Sequence, residues 1–77
     1  MAVIRSLTPS AQALKRHRTE ADATFQVLED GAGRLFQIST YGSDQRASQP
    51  KVSQTIQLER EQAAALVKEL RRAFPGI

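Results

Sequence analysis

Residues 24–58 read TFQVLEDGAGRLFQISTYGSDQRASQPKVSQTIQL, and the rest of the chain attaches to this stretch. Two runs rich in Phe, Val, Leu, Ile and Tyr flank Asp30-Gly31-Ala32-Gly33. An Asp-Gly pair between β-forming runs signals a tight hairpin, with Gly31 expected to take the positive φ that a turn requires. A third run, residues 52–58, alternates apolar and polar side chains. Because side chains on a strand alternate between faces, Phe25, Val27, Phe36, Ile38, Ile56 and Leu58 fall on one apolar face, with Val52 and Gln54 in the same row. The opposite face is wet, made of Gln, Ser, Thr and Tyr, including Gln37, Tyr41 and Gln57. Residues 42–50, GSDQRASQP, carry turn formers and no periodicity, and are expected to form a mobile loop with Arg46 near its centre.

Downstream, Ala63, Leu66, Val67, Leu70 and Phe74 make one apolar stripe at helical spacing, so a helix is expected over residues 60–74. Pro75-Gly76 stops it. Glu59 and Glu61 lie at the positive end of its dipole, and Arg71 and Arg72 at the negative end. Upstream, residues 1–7 are a mixed lead, and Thr8-Pro9 is a helix-start signature. A helix over residues 9–16 would bury only Ala11, Ala13 and Leu14, so residues 1–22 read as a basic arm with room for one short helix. The expected architecture is α+β: a three- to four-stranded antiparallel meander and one C-terminal amphipathic helix, with residues 23–77 as the sheet-plus-helix domain.

Seventy-seven residues make one domain, and a chain of that size buries too small a share of its surface to be robust alone. The stripe of Ala63, Leu66, Val67, Leu70 and Phe74, beside the smooth surface of Ala64 and Ala65, is therefore the expected homodimer interface. The net charge is +3, from 11 basic and 8 acidic residues. Residues 1–24 hold four basic against two acidic, residues 25–49 two against three, and residues 50–77 five against three. Positive charge thus brackets the sheet, a distribution that suits an anionic partner.

No cysteine is present and His17 is the only histidine, so neither a disulfide framework nor a thiolate or histidine metal cluster is available. Each carboxylate has a place in a turn, a helix end or a solvated face, and no nucleophile stands beside a base. A binding module is expected rather than an enzyme, with no cofactor and no metal. No apolar run reaches the roughly 20 residues that span a bilayer, and residues 1–7 lack the apolar centre of a secretory signal. The expected setting is cytoplasmic, at the nucleoid if DNA is bound, without a membrane partner.

The run Lys15-Arg16-His17-Arg18 has two readings, a solvated turn or a phosphate-contacting arm. Tyr41 likewise is either a strand-end aromatic packed on the loop or a platform for a base. Beside it lie Gln37 and Gln57, with the basic groups Arg34, Arg46 and Lys51 flanking the face.

The order of elements and two segments resemble the single-stranded-DNA-binding domain of the positive cofactor four family of transcriptional coactivators, with its small bacterial and phage relatives. The first segment is the hairpin VLEDGAGRLFQISTY, in which Ile38, Thr40 and Tyr41 match the family's Ile-x-x-aromatic strand end. The second is Thr55-Ile56-Gln57-Leu58 followed by Glu61-Gln62, similar to the family's strand running into its helix. The resemblance covers about residues 23–74. It implies a sheet curved around a single strand, a two-fold dimer made by the terminal helix, Tyr41 as the stacking residue, and Arg34 and Lys51 as phosphate contacts. The chain departs from the family at the Gly31 turn, where a second aromatic is usual, and in its third strand, which has Ser, Thr and Gln in place of Lys. The expected function is a homodimeric nucleic-acid-binding module, preferring single-stranded DNA or RNA, in transcription or DNA maintenance, contacting its ligand through Lys15, Arg16, Arg18, Arg34, Gln37, Tyr41, Arg46, Lys51 and Gln57. The alternative is a protein-interaction module, an accessory or inhibitor protein of phage or plasmid type that works through a sheet edge or the loop.

Overall fold

A computed structural model describes residues 1–42 and 52–77. It contains β1 (Ala2–Val3), β2 (Ala23–Asp30), β3 (Gly33–Tyr41), β4 (Val52–Leu58) and α1 (Arg60–Ala73). The strands form one sheet in the order β1-β4-β3-β2. Its two inner pairings, β2 with β3 and β3 with β4, are antiparallel, as alternation and the hairpin signal require. The fold is therefore α+β, with one addition: β1 joins the free side of β4 in parallel, pairing Ala2 with Ile56 and Val3 with Gln57. Ile4 N–H extends that ladder to the Gln57 carbonyl at 2.8 Å. Two residues carry no period, so the lead segment gives no local sign of a strand.

The β2–β3 hairpin closes on the pair Asp30 and Gly33. Asp30 Oδ1 accepts the Ala32 N–H at 2.9 Å, so the carboxylate holds the turn as a carbonyl would. The positive φ falls on Gly33, at 130°, and not on Gly31 as the Asp-Gly signal suggested. The side-chain bond lets the turn form without left-handed backbone, and the strained conformation moves to the residue that reopens the ladder.

Cross-strand pairs sort the sheet into the two expected faces. Phe25 with Ile38, Val27 with Phe36, Ile38 with Ile56, and Phe36 with Leu58 make the apolar face. The rings of Phe25 and Phe36 stack at 5.5 Å and 18°. A register shift beyond Thr40 sets Tyr41 opposite Val52, which removes Val52 from the row of Ile56 and Leu58.

Burial inverts the expected pattern. The face expected to be wet holds two buried groups, Ser39 and Thr55, only 5% and 6% exposed. On the apolar face Phe25 is 71% and Val27 59% exposed, and Ile56 is open although it lies on an inner strand. Leu58 is the one buried apolar residue among those described. α1 touches β3 and β4, and no residue in it is fully buried. Ala63 and Leu66 are half-buried, whereas Val67, Leu70 and Phe74 of the same stripe are exposed. The apolar face of the sheet is thus left open at Phe25, Val27 and Ile56, while Phe36 and Ile38 are half-buried and Leu58 is buried.

Its ends follow the sequence closely. Glu61 lies in the first turn and Arg71 and Arg72 in the last, Phe74 caps the helix through its N–H to the Leu70 carbonyl at 2.8 Å, and Gly76 turns away with φ 102°.

Residues 4–22 contain no helix, so the short one envisaged over residues 9–16 does not form. The physical reason is that it has nothing to bury: Leu14 stands 95% exposed, and the local bonds are short-range ones, Gln12 N–H to Ser10 Oγ and Thr19 N–H to His17 Nδ1. The segment is an extended strap. It leaves β1 beside Gln57 and rejoins the sheet where Tyr41 N–H bonds the Asp22 carbonyl at 3.0 Å, at the opposite end and the opposite edge.

Gly33→Ala should destabilise the fold by about 1–3 kcal/mol, since that φ is one that side chains resist even in open space. Gly31→Ala, with no positive φ, should change urea-unfolding midpoints little by comparison.

Candidate nucleic-acid interface

The polar face is built from alternate residues of β2, β3 and β4, and its side chains bond one another across the strands. Ser39 Oγ and Thr55 Oγ1 lie 3.2 Å apart, Gln37 Nε2–H donates to Ser39 Oγ at 3.3 Å, and Gln57 Nε2–H donates to Gln37 Oε1 at 2.8 Å. At the far end the Tyr41 hydroxyl pairs with Thr24 Oγ1 at 3.1 Å. No buried side-chain polar atom among the described residues lacks a partner. The hydroxyl pair accounts for how two polar residues sit buried at the middle of the sheet. The amides keep spare capacity, since each carries two donors and a carbonyl with two lone pairs, of which these bonds use a part.

Three of the expected contact residues, Gln37, Tyr41 and Gln57, are therefore on one face, in a row that runs toward the β3 end. Lys15, Arg16 and Arg18 stand exposed on the strap. Arg18 is four residues from Asp22, whose carbonyl holds Tyr41, so the chain can separate their Cα atoms by at most about 14 Å. The chain thus limits how far Arg18 can stand from the backbone that pairs with Tyr41, the one aromatic of the polar face. Arg46 and Lys51 lie outside the described residues.

Arg34 is not part of this arrangement. It shares the row of Phe36 and Ile38, and its guanidinium pairs with Glu29 at 3.0 Å, with both side chains about two-thirds exposed. Such a pair is worth about 0–1 kcal/mol and opens readily. It instead lines an open cleft of about 960 Å³ with Val3, Ile4, Arg5, Ser6, Glu59 and the first residues of the helix, Arg60, Glu61 and Gln62. Gln62 Nε2–H ties this corner together by donating to the Arg5 carbonyl at 3.1 Å. Arg5 and Arg60 went unremarked in the sequence. Arg60 is the first residue of the helix, two beyond the last β3–β4 pair of Phe36 and Leu58, so strand alternation does not reach it. Arg5 arrives only through the parallel pairing of β1. Glu59 and Glu61 offset most of the positive charge, so the cleft is mixed in sign.

Among the described residues no three His, Asp or Glu side chains are grouped to hold a metal ion. In comparisons with known proteins, no family model matches the chain and neither a curated protein nor a solved structure is significantly similar to it.

Replacing Ser39 by Ala should cost about 1–3 kcal/mol, because Thr55 Oγ1 then loses its buried partner. Thr55→Val added to it should cost less than the sum of the two single changes, measured as a double-mutant cycle by chemical unfolding.

Proposed function

We propose that the chain is a small nucleic-acid-binding module that prefers single strands, and that it engages them at the Tyr41 end of the polar face together with the basic strap. The observation that carries this reading is the bond from Tyr41 N–H to the Asp22 carbonyl, which joins the strand carrying the only aromatic of that face to the segment that carries Lys15-Arg16-His17-Arg18. Phosphate neutralisation and base stacking are the two terms that hold a flexible strand, and here they are provided within reach of each other. The Tyr41 ring can stack only on a base that is not already sandwiched in a duplex, which sets the preference for single strands. Gln37 and Gln57 offer the remaining amide donors and acceptors to base edges. Arg34 takes a different part from the one first expected, as a cation of the cleft beside Arg5 and Arg60, away from the Tyr41 row. The hairpin, third strand and terminal helix occur in the order that carries the resemblance to the positive cofactor four family, which favours a role in transcription or DNA maintenance.

A second reading has its own observation. β2 is an edge strand, exposed along all of its residues, and an open edge can accept an extended segment of another protein.

Titration of a labelled single-stranded oligonucleotide at low and moderate salt separates the two. Binding should weaken as salt rises, and Lys15, Arg16 and Arg18 replaced together by Ala should lower the log–log salt slope by about 2, at about 0.7 for each phosphate no longer neutralised. Tyr41→Leu should weaken binding by about 1–3 kcal/mol at each salt concentration and leave the slope unchanged. Absence of binding at both salt concentrations removes the nucleic-acid reading and leaves the edge strand as the site.

A further inference from the structure

β2 has β3 on one side and, among the described residues, no strand on the other. The ladder decides which of its backbone groups are free. Tyr41 N–H bonds the Asp22 carbonyl, and from there β2 and β3 pair without a register shift to the turn at Asp30 and Gly33. Bonded and non-bonded pairs alternate along an antiparallel ladder, so the non-bonded positions of β2 are Ala23, Phe25, Val27 and Glu29. The N–H and C=O groups of these four residues point out of the sheet. Phe25 and Val27 also carry exposed apolar side chains, so the outward backbone and the open side chains belong to the same residues. The charge along this edge has one sign. Residues 20–30 hold Glu20, Asp22, Glu29 and Asp30, half of the chain's 8 carboxylates, and no Lys or Arg, although the chain as a whole is at +3. Arg34 pairs with Glu29 and Arg18 precedes Glu20, yet counting both still leaves two cations against four carboxylates.

We infer that the β2 edge docks an extended segment of a different protein, one with apolar side chains in alternation at its centre and Lys or Arg at both ends. The inference rests on the second reading above, that the edge accepts a protein segment, and it names the chemistry of that segment. An incoming strand bonds the outward groups of Ala23, Phe25, Val27 and Glu29, and its alternate side chains fall beside Phe25 and Val27. The centre of β2, from Ala23 to Leu28, is uncharged, and its carboxylates lie at the two ends. Asp22 and Glu29 are separated by about 23 Å of strand, which sets the spacing of the partner's cations. Charge also selects among occupants. A second copy pairing β2 with β2 brings carboxylates against carboxylates in either direction, because both ends are acidic, and like charges set opposite each other destabilise a ladder. Nucleic acid meets the same repulsion, and lipid leaves the outward N–H and C=O groups without partners. A basic, extended polypeptide satisfies both the backbone and the charge.

The probe is a synthetic peptide of alternating valine and threonine with lysines at both ends, acetylated and amidated, and its counterpart carries glutamate in place of lysine. Binding is read by calorimetric titration and its place by amide hydrogen exchange on the native chain. The lysine peptide should bind and slow exchange at Phe25, Val27 and Glu29, while Gln26 and Leu28, already bonded to β3, change little. Val27→Pro removes an N–H that faces outward and that β3 does not use, so it should keep the fold and lose the peptide. Asp22→Asn combined with Glu29→Gln should weaken the lysine peptide by about two- to thirtyfold, the worth of two exposed ion pairs. Binding that leaves the amides of Phe25, Val27 and Glu29 unprotected overturns the inference. Equal affinity for the glutamate peptide, with those amides protected, overturns the basic partner while keeping the edge as a protein site. Binding of neither peptide overturns both. Protection of the same amides without peptide, at twice the mass of one chain, overturns it in favour of a second copy.

Discussion

The pairing of β3 with a neighbour on each side is the constraint from which the rest of the structure follows. Ile38 stands between Phe25 and Ile56, and one position on, Ser39 stands between Thr24 and Thr55. A slip of one residue in either ladder would exchange these rows and set Phe and Ile where the Gln, Ser and Thr side chains bond one another. Both rows resist that slip. The aromatic pair of Phe25 and Phe36 holds one face, and the run from Gln57 through Gln37 and Ser39 to Thr55 holds the other.

That polar run also changes what the face is for. Side chains that first look like a free wet surface are largely engaged with each other at the centre, where Ser39 and Thr55 are buried. At the Tyr41 end, where we propose that a ligand is engaged, the ladder shifts register and the strap returns. A register shift ends regular pairing and re-aims side chains.

The strap joins the two ends of the molecule. It starts at the corner where Arg5 meets Gln62 and the helix, and finishes at Tyr41. Ile4 at its start is half-buried, no other apolar side chain of the segment is, and its basic run stays exposed between its backbone anchors at Gln57 and Tyr41. Segments of low local stability are those from which binding elements are commonly drawn.

The sequence alone determined the alternating rows, the hairpin site, the helix and the grouping of Gln37, Tyr41 and Gln57, because each follows from a local period of two or 3.6 residues. It led to Gly31 where the strained φ belongs to Gly33, since the choice rests on the Asp30 side-chain bond. Tertiary structure decided what periodicity does not encode. β1 and the place of Arg5 depend on a parallel pairing across more than fifty residues of chain, and Val52 leaves its row because the β3–β4 register shifts beyond Thr40. Burial is decided there too. A period tells which residues share a face, but which face is covered depends on where the helix goes, and this helix leaves Phe25, Val27 and Ile56 open while Ser39 and Thr55 are enclosed.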